Sequence, residues 1–223
     1  MNINILGSTG IIGSKSLDIV SKYFPQLKID LLLASNNANK LINQANKIKP
    51  KAICLKNTKK LKYYKNKINP NVKIINHKDL SNYLKDNKTK ASILSISGNS
   101  ALEYLEDIFI NTKKLGLVNK ESIVSCGHLF KKLLYKHKVE IYPLDSEHFS
   151  IYNLDNKKKS SLKNLYKLYL TASGGPLLNY SKKKIHNVSF KEVIKHPKWK
   201  MGYKNSIDSS TLANKCLELV EAM

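Results

Sequence analysis

Short apolar runs alternate with amphipathic stretches along the first two thirds of the chain. The apolar runs read as buried strands, and the stretches between them carry apolar residues at helical spacing. Strands are predicted at residues 2–6, 28–34, 52–55, 72–75, 91–96, 115–118 and 138–143, and helices at 14–24, 41–48, 59–67, 78–84, 101–110 and 123–135. Because such alternation forms right-handed βαβ units, the pattern predicts an α/β fold with a Rossmann-like, mostly parallel sheet.

The last third of the chain departs from this alternation. A polar, lysine-rich stretch at residues 153–164 is the best candidate for a domain boundary. Beyond it the pattern predicts a strand at 165–170, a helix at 189–194 and a helix at 208–223 with Asp208 as its N-cap. We therefore expect two domains, residues 1–150 and residues 151–223.

A glycine-rich turn follows the first predicted strand. Gly7, Gly10 and Gly13 are evenly spaced and lead into a helix. Glycines so placed permit a tight turn, close approach of a pyrophosphate to backbone N–H groups and close helix–strand packing. The G-x-x-G-x-x-G spacing differs from the commoner G-x-G-x-x-G, so a glycine turn without a ligand is the alternative. Its place directly between strand and helix favours dinucleotide binding.

The end of the second predicted strand bears on the choice of dinucleotide. NAD-binding units usually place an acid about 20 residues beyond the glycines, where it holds the ribose 2′-OH. Here the sequence reads Ala34, Ser35, Asn36 and Asn37, with no acid. This favours NADP, and Lys40 is the nearest candidate for the 2′-phosphate.

Polar residues also follow the sixth predicted strand. Asn119, Lys120, Glu121 and Ser122 stand at the predicted carboxyl end of a strand, where open α/β sheets bind ligands. An ordinary helix N-terminus is the alternative reading.

Two carboxylates follow the seventh predicted strand. On an extended chain Asp145 and Glu147 point to one side, with Ser146 opposed and His148 following. Close carboxylates repel unless a cation lies between them, and their oxygens suit Mg²⁺ or Mn²⁺. For an isolated D-x-E pair, a polar strand end at the surface is the alternative.

Three further stretches carry candidate chemistry. Ser173 precedes paired glycines that suit an anion nest or a simple turn. Trp199, the single tryptophan, lies in a loop that suits either a lid over a ligand or an anchor to the core. Asn214, Lys215 and Glu218 share one face of the last predicted helix, as a phosphate and metal site or as a solvated salt bridge.

Composition excludes several classes of function. The net charge is +23, but all 39 basic residues are lysine and they are scattered, whereas base and phosphate recognition favours arginine. We therefore expect anionic small molecules as partners and no nucleic acid. We expect neither a signal peptide nor a membrane segment, and the three widely spaced cysteines indicate reduced thiols in the cytoplasm.

The motifs, in this order, resemble those of the 1-deoxy-D-xylulose 5-phosphate reductoisomerase family. They are residues 7–13 (GSTGIIG), 119–122 (NKES), 144–148 (LDSEH), 173–176 (SGGP), 196–202 (HPKWKMG) and 208–211 (DSST), with Asn214, Lys215 and Glu218. The resemblance implies an NADPH-dependent enzyme that requires Mn²⁺ or Mg²⁺. It would rearrange and reduce a sugar phosphate, 1-deoxy-D-xylulose 5-phosphate, to 2-C-methyl-D-erythritol 4-phosphate in non-mevalonate isoprenoid biosynthesis.

The resemblance also implies roles for individual residues. The metal ligands would be Asp145, Glu147 and Glu218. Substrate would be held by Lys120, Ser146, Ser173, His196, Ser209, Asn214, Lys215 and Glu218. The NADPH site would be lined by Thr9, Gly10, Ile11, Ile12, Asn119, Glu121 and Gly202. The catalytic residues would be Lys120, Glu147, His196 and Trp199, with Trp199 and Met201 in a closing flap.

The resemblance extends to domain organisation. Residues 1–150 would be the NADPH-binding domain and residues 151–223 part of the catalytic domain, and the full-length family would form homodimers. The family continues beyond the point that corresponds to Met223, so we expect a C-terminally truncated member. The alternative is a dinucleotide-binding remnant with weak or no activity. Asn36 stands where the family often has a lysine for the 2′-phosphate, so the preference for NADP over NAD stays open.

Overall fold

The computed structural model of the protein describes residues 1–57, 65–158, 166–195 and 202–223. The chain divides into two compact units, Met1–Asp145 and Ser146–Met223. The first unit contains the sheet, and the described part of the second consists of helices joined by irregular segments. The predicted functional domains, residues 1–150 and 151–223, stay a prediction.

The first unit is built on a parallel sheet. Seven strands are present among the described residues: β1 (Asn2–Leu6), β2 (Lys28–Ala34), β3 (Ala52–Leu55), β4 (Lys73–Ile75), β5 (Thr89–Leu94), β6 (Thr112–Leu117) and β7 (Glu140–Pro143). Their order across the sheet is β4-β3-β2-β1-β5-β6-β7, and every neighbouring pair is parallel. The predicted α/β fold with a Rossmann-like parallel sheet is confirmed.

Helices cover both faces of this sheet. They are α1 (Ile11–Tyr23), α2 (Ala38–Ile48), α3 (Leu80–Asp86), α4 (Leu105–Asn111) and α5 (Glu121–His137). Because side chains alternate along a strand, Leu32 of β2 joins one hydrophobic cluster with α1 and α2, while Leu31 and Leu33 join another with α3, α4 and α5. The carboxyl ends of all seven strands therefore lie at one edge, between the two helical layers.

Several helices and strands begin or end at residues other than those predicted. Short 3-10 helices occupy Lys65–Lys67, His77–Asp79 and Gly98–Tyr104. The first part of the helix predicted at 101–110 is thus 3-10, and the α-helix begins at Leu105. Most of the helix predicted at 59–67 lies outside the described residues.

A buried polar network joins β1, β5 and α4. The side-chain oxygen of Asn111 accepts hydrogen bonds from Asn4 at 2.9 Å and Thr89 at 2.6 Å. Its amide nitrogen donates to the backbone oxygens of Leu84 at 2.6 Å and Asn87 at 2.8 Å. Asn111 is only 3% exposed, so water cannot replace these contacts. The network fixes how the outer helices meet the centre of the sheet.

Asn111→Ala is expected to lower the free energy of unfolding by about 2–3 kcal/mol, because it leaves buried donors and acceptors unpaired. Urea unfolding measures this change. Asn82→Ala, at an exposed position of α3, is the matched control and is expected to change stability by less than about 0.5 kcal/mol. Equal stability of the two variants would contradict a structural role for the network.

The described part of the second unit contains five helices. They are α6 (Ser146–Lys158), α7 (Lys182–Ile185), α8 (Phe190–Val193), α9 (Tyr203–Ser210) and α10 (Ala213–Ala222). The helix predicted at 189–194 is confirmed as α8, which begins with a capping box formed by Ser189 and Glu192. None of the described helices in the chain combines the length and apolar character that crossing a bilayer requires.

The strand predicted at 165–170 is wrong over residues 166–170, which have no regular structure. A strand requires a neighbouring strand for its N–H and C=O groups, and no described residue supplies one here. The large side chains that suggested a strand are exposed, and Tyr166 is 99% exposed.

The single helix predicted at 208–223 is also wrong. Leu212 has a φ of 61°, in the left-handed region, and separates α9 from α10. Asp208, predicted to cap a helix, instead lies inside α9. Its carboxylate pairs with Lys204 at 2.6 Å.

The extended conformation predicted for residues 145–148 is the third error. Strand β7 ends at Pro143 and α6 begins at Ser146. Residues two apart on a helix do not share a face, so the argument from strand alternation does not hold for Glu147. The Glu147 carboxylate is instead contacted by Lys215, which lies elsewhere in the second unit.

Candidate active site

The glycine loop lies at the carboxyl end of β1, where it passes into α1. Gly7 has a φ of 86°, and a Cβ atom there would lie 2.7 Å from the Ser95 carbonyl oxygen. A Cβ atom on Gly13 would lie 2.2 Å from the Gly7 carbonyl oxygen. Both distances are below van der Waals contact, so only glycine fits and the helix starts close against the strand.

Side chains that the sequence did not single out hold this loop. Ser8 donates to the Gln44 side-chain oxygen at 2.9 Å, and Gln44 donates back to the Ser8 carbonyl at 2.8 Å. Ser95 Oγ donates to the Leu6 carbonyl at 2.7 Å. In the sequence, the sign of these contacts was Gln44, a polar residue that stands among the apolar positions of α2.

The predicted cofactor residues Thr9, Gly10, Ile11 and Ile12 form the end of the loop and the start of α1. Gly10 is the N-cap, with extended backbone angles of −70° and 176°. The side chains of Ile11 and Ile12 are 48% and 40% exposed. The first amides of a helix have no partner within the helix, so this turn presents donors to an anion.

Lys40 connects the end of β2 to the glycine loop. The N-cap Asn37 accepts a hydrogen bond from the Lys40 amide at 3.1 Å. The Lys40 ammonium group donates to the Thr9 carbonyl at 3.0 Å. This brings a positive charge beside the loop, near the strand end that carries Asn36.

The segment from Asn119 to Ser122 is buried after β6. The Asn119 amide nitrogen donates to the carbonyl oxygens of Ile96 at 2.8 Å and Gly98 at 3.0 Å, and to Glu121 Oε2 at 2.9 Å. Its oxygen accepts from the Ser122 amide at 2.8 Å. Asn119 thus ties the carboxyl ends of β5 and β6 together, at the edge of the sheet where a cofactor would lie.

Lys120 is paired with Asp145 inside the first unit. The Lys120 ammonium nitrogen lies 3.0 Å from Asp145 Oδ2, and each side chain is 11% exposed. A pair so shielded from water is held more firmly than a surface salt bridge. Both residues were predicted for the site, and the structure brings them together.

In the second unit, Glu147 and Glu218 are brought together from α6 and α10. One carboxylate oxygen of each lies within 4.8 Å of the other. The Glu218 side chain is only 2% exposed and that of Glu147 is 23% exposed. Two acids this close require a shared cation.

Lys215 provides a cation within the chain. Its ammonium group contacts Glu147 Oε1 and lies 2.7 Å from Glu218 Oε2. Burial by itself would lower the pKa of Lys215, but the two carboxylates outweigh it, so the pKa lies above its ordinary value. Asn214 donates to the other oxygen of Glu218. The predicted shared face of Asn214, Lys215 and Glu218 is confirmed.

Two serines predicted to hold phosphate also meet in the second unit. Ser173 Oγ and Ser209 Oγ are 3.4 Å apart. Gly174 and Gly175 both have positive φ angles, and a Cβ atom on Gly175 would lie 2.5 Å from the Ser209 carbonyl oxygen. The paired glycines therefore let the turn lie directly against α9. The Ser146 hydroxyl contacts its neighbour Glu147.

The remaining predicted residues are Gly202, His196, Trp199 and Met201. Gly202 is the exposed N-cap of α9. His196, Trp199 and Met201 lie outside the described residues.

Two family models match the chain. The model described as 1-deoxy-D-xylulose 5-phosphate reductoisomerase matches residues 3–127, and the model of the C-terminal domain of that enzyme matches residues 141–223. The chain belongs to the 1-deoxy-D-xylulose 5-phosphate reductoisomerase family. The resemblance recognised in its motifs is therefore confirmed.

Curated relatives of that name support the assignment. The chain is 43% identical over 230 residues to the reductoisomerase of Pelagibacter ubique and 39% identical over 234 residues to that of Wigglesworthia glossinidia brevipalpis. Each match covers 99% of this chain, and 57% and 59% of the relatives. The chain thus spans less than two thirds of the length of these reductoisomerases.

Solved reductoisomerase structures share the fold. A structure described as a complex with NADPH, fosmidomycin and magnesium matches all of this chain and 57% of its own, with a TM-score of 0.87 and 33% identity. The Zymomonas mobilis reductoisomerase, in complex with NADPH, matches 99% of this chain and 57% of its own, with a TM-score of 0.80 and 27% identity.

Proposed function

We propose that this chain carries the NADPH, metal and substrate sites of a 1-deoxy-D-xylulose 5-phosphate reductoisomerase. The reaction is the rearrangement and reduction of that sugar phosphate to 2-C-methyl-D-erythritol 4-phosphate, in isoprenoid biosynthesis. The observation that carries the proposal is the partly buried Glu147 and the buried Glu218 around Lys215, in a member of this family.

The metal we propose is Mn²⁺ or Mg²⁺, with Asp145, Glu147 and Glu218 as ligands. The fit rests on the donor set, since carboxylate oxygens are the ligands these ions prefer. The Glu147–Glu218 pair already accommodates a cation, the Lys215 ammonium group. Asp145 stands two residues before Glu147 in the chain. When bound, the metal supplies Lewis-acid polarisation of the substrate's carbonyl and neighbouring hydroxyl oxygens.

The substrate phosphate would be held by residues of the second unit. They are Ser146, Ser173, His196, Ser209, Asn214 and Lys215. Ser173 and Ser209 offer two hydroxyls 3.4 Å apart, and Lys215 offers a charged donor. Lys120, His196 and Trp199 would complete the catalytic set by orienting the substrate and excluding water.

The cofactor we propose is NADPH, which supplies the hydride. The glycine loop fits a pyrophosphate, because a Cβ atom at Gly7 or Gly13 would fill the space between strand and helix. Residues Thr9 to Ile12 would bind the phosphates. Asn119, Glu121 and Gly202 would line the rest of the site.

We expect Lys40→Ala to weaken NADPH binding by about tenfold, because a charge-assisted contact with the 2′-phosphate is worth roughly 1.5 kcal/mol. NADH lacks that phosphate, so its affinity is expected to change little. Fluorescence titration with each nucleotide measures both values.

Lys47→Ala, in the last turn of the same helix, removes the same charge at the other end of α2. It is expected to leave both affinities unchanged. An equal loss for NADPH and NADH in Lys40→Ala would show that Lys40 supports the loop instead of reading the phosphate.

The reaction is tested by incubating the chain with 1-deoxy-D-xylulose 5-phosphate, NADPH and Mn²⁺. We expect metal-dependent NADPH oxidation, with 2-C-methyl-D-erythritol 4-phosphate identified by mass spectrometry. NADPH binding without metal-dependent binding or conversion of the sugar phosphate would instead indicate the dinucleotide-binding remnant.

Partners and compartment follow from the same proposal. The substrate is a small anionic molecule, which suits a chain with a net charge of +23. We propose a cytoplasmic protein that binds no nucleic acid, and we propose the homodimer for the full-length family.

A further inference from the structure

Helix α10 buries acids and exposes apolar side chains. The side chains of Glu218 and Glu221 are 2% and 7% exposed. Leu219 and Val220, between them in sequence, are 57% and 49% exposed. Burying a carboxylate costs free energy unless it is paired, so each buried acid requires a partner. Lys215 and Asn214 serve Glu218, but Glu221 has no role in the reaction proposed above.

The partner of Glu221 is His148, the last residue of the LDSEH motif. His148 Nδ1 lies 3.3 Å from Glu221 Oε2, and the His148 side chain is 14% exposed. The other ring nitrogen, Nε2, lies 3.1 Å from the backbone oxygen of Glu218. A carbonyl oxygen only accepts, so Nε2 carries a hydrogen and donates it. One imidazole ring therefore holds α10 at two points, one turn apart.

We propose that His148 and Glu221 form a clasp that sets the distance between the metal-binding carboxylates of Glu147 and Glu218. His148 directly follows Glu147 on α6, and Glu221 lies one turn beyond Glu218 on α10. Both are positioning residues, and neither needs to touch metal or substrate. This inference rests on the proposed metal site and adds Glu221 and His148 to the residues on which that site depends.

The clasp has a direct consequence for metal affinity. Mg²⁺ binds oxygen at about 2.1 Å in near-ideal octahedral geometry, so it tolerates little change in ligand spacing. Groups that orient metal ligands typically contribute 10- to 100-fold to metal affinity. Lys215 also links Glu147 to α10, but a bound metal would compete with that lysine for the carboxylates.

The test is Mn²⁺ affinity, measured on the whole chain from the electron paramagnetic resonance signal of free Mn²⁺. His148→Ala and Glu221→Ala are each expected to weaken binding by roughly 10- to 100-fold. Glu221→Gln keeps a polar group beside His148 Nδ1 that can donate or accept a hydrogen bond, and is expected to stay within about threefold of the unmodified chain. The double alanine variant is expected to bind no more weakly than His148→Ala, since Glu221 acts through its contact with His148.

A purely stabilising pair would behave differently. Asp208→Ala removes another ion pair of the second unit, that with Lys204, and is expected to lower stability without changing Mn²⁺ affinity. If an alanine variant does not fold, His148→Gln replaces it, because a glutamine amide cannot reach both partners, and weaker binding is again expected. Mn²⁺ affinity equal to that of the unmodified chain in a folded His148 or Glu221→Ala variant would overturn the clasp.

The same titration separates this inference from the proposed function. If the unmodified chain has no Mn²⁺ site that Glu147→Gln removes, the metal site itself is wrong. If Glu147→Gln abolishes binding while the His148 and Glu221 variants bind normally, the metal site stands and only the clasp is wrong.

Discussion

Glu147→Gln is expected to weaken Mn²⁺ binding by more than about 100-fold and to abolish metal-dependent turnover. The substitution keeps the side-chain volume but replaces a charged ligand by a neutral amide. Loss of a ligand itself is expected to exceed the roughly 10- to 100-fold cost of losing a group that only orients one. Of the acids that remain, Glu218 would then be shared between the metal and Lys215, which already lies 2.7 Å from it.

Glu140→Gln is the matched control for this substitution. Glu140 is a surface acid whose side chain is 54% exposed and paired with Lys114 at 3.4 Å. Its loss is expected to leave Mn²⁺ affinity unchanged. If Glu147→Gln binds Mn²⁺ as Glu140→Gln does, the carboxylate pair of the second unit is not a metal site.

Gly13→Ala is expected to destabilise the first unit by about 3 kcal/mol and to abolish measurable NADPH binding. The new Cβ atom would lie 2.2 Å from the Gly7 carbonyl oxygen and 2.8 Å from Ser95 Oγ. Neither can move freely, because the loop is fixed to β2 through the Gly7 amide, which donates to the Leu33 carbonyl at 2.9 Å. Overpacking of this kind costs about 1–3 kcal/mol or more.

Gly127→Ala provides the comparison, since apart from the neighbouring residues and backbone of α5 itself no atom of the described residues lies within 4 Å of a Cβ atom at that position. It is expected to be neutral or to raise stability by up to about 1 kcal/mol, because alanine has less freedom in the unfolded chain. Urea unfolding and NADPH titration of both variants measure the effect. Normal NADPH affinity in Gly13→Ala would mean that the loop does not depend on close packing at this glycine.

The sheet could be predicted from the sequence because its strands are locally encoded. Strands 2–6, 28–34 and 52–55 are largely buried on both faces, so they are rich in apolar residues and end at glycine or polar residues. Residues 166–170 have similar composition, but a strand also requires a pairing partner, which local sequence does not reveal. The break at Leu212 has no glycine or proline to mark it.

The candidate site could be predicted only in part. Glycine spacing predicted the tight turn between β1 and α1, because Gly7 and Gly13 each meet a local steric requirement. The contact between Glu147 and Lys215 joins residues 68 positions apart, and only resemblance to the family connected them. Glu221 was missed, because a glutamate near the end of a helix looks like any solvated charge until its partner, His148, is known.

Calorimetric titration of the chain with 1-deoxy-D-xylulose 5-phosphate, once with Mn²⁺ and once with a chelator, tests the central claim most directly. If the carboxylates and the phosphate-binding groups form one site, the sugar phosphate binds in the presence of Mn²⁺. Its affinity is then expected to fall at least tenfold when the chelator removes Mn²⁺. Equal binding in both conditions, or none in either while NADPH still binds, would contradict the claim and leave a dinucleotide-binding protein without the metal-dependent substrate site.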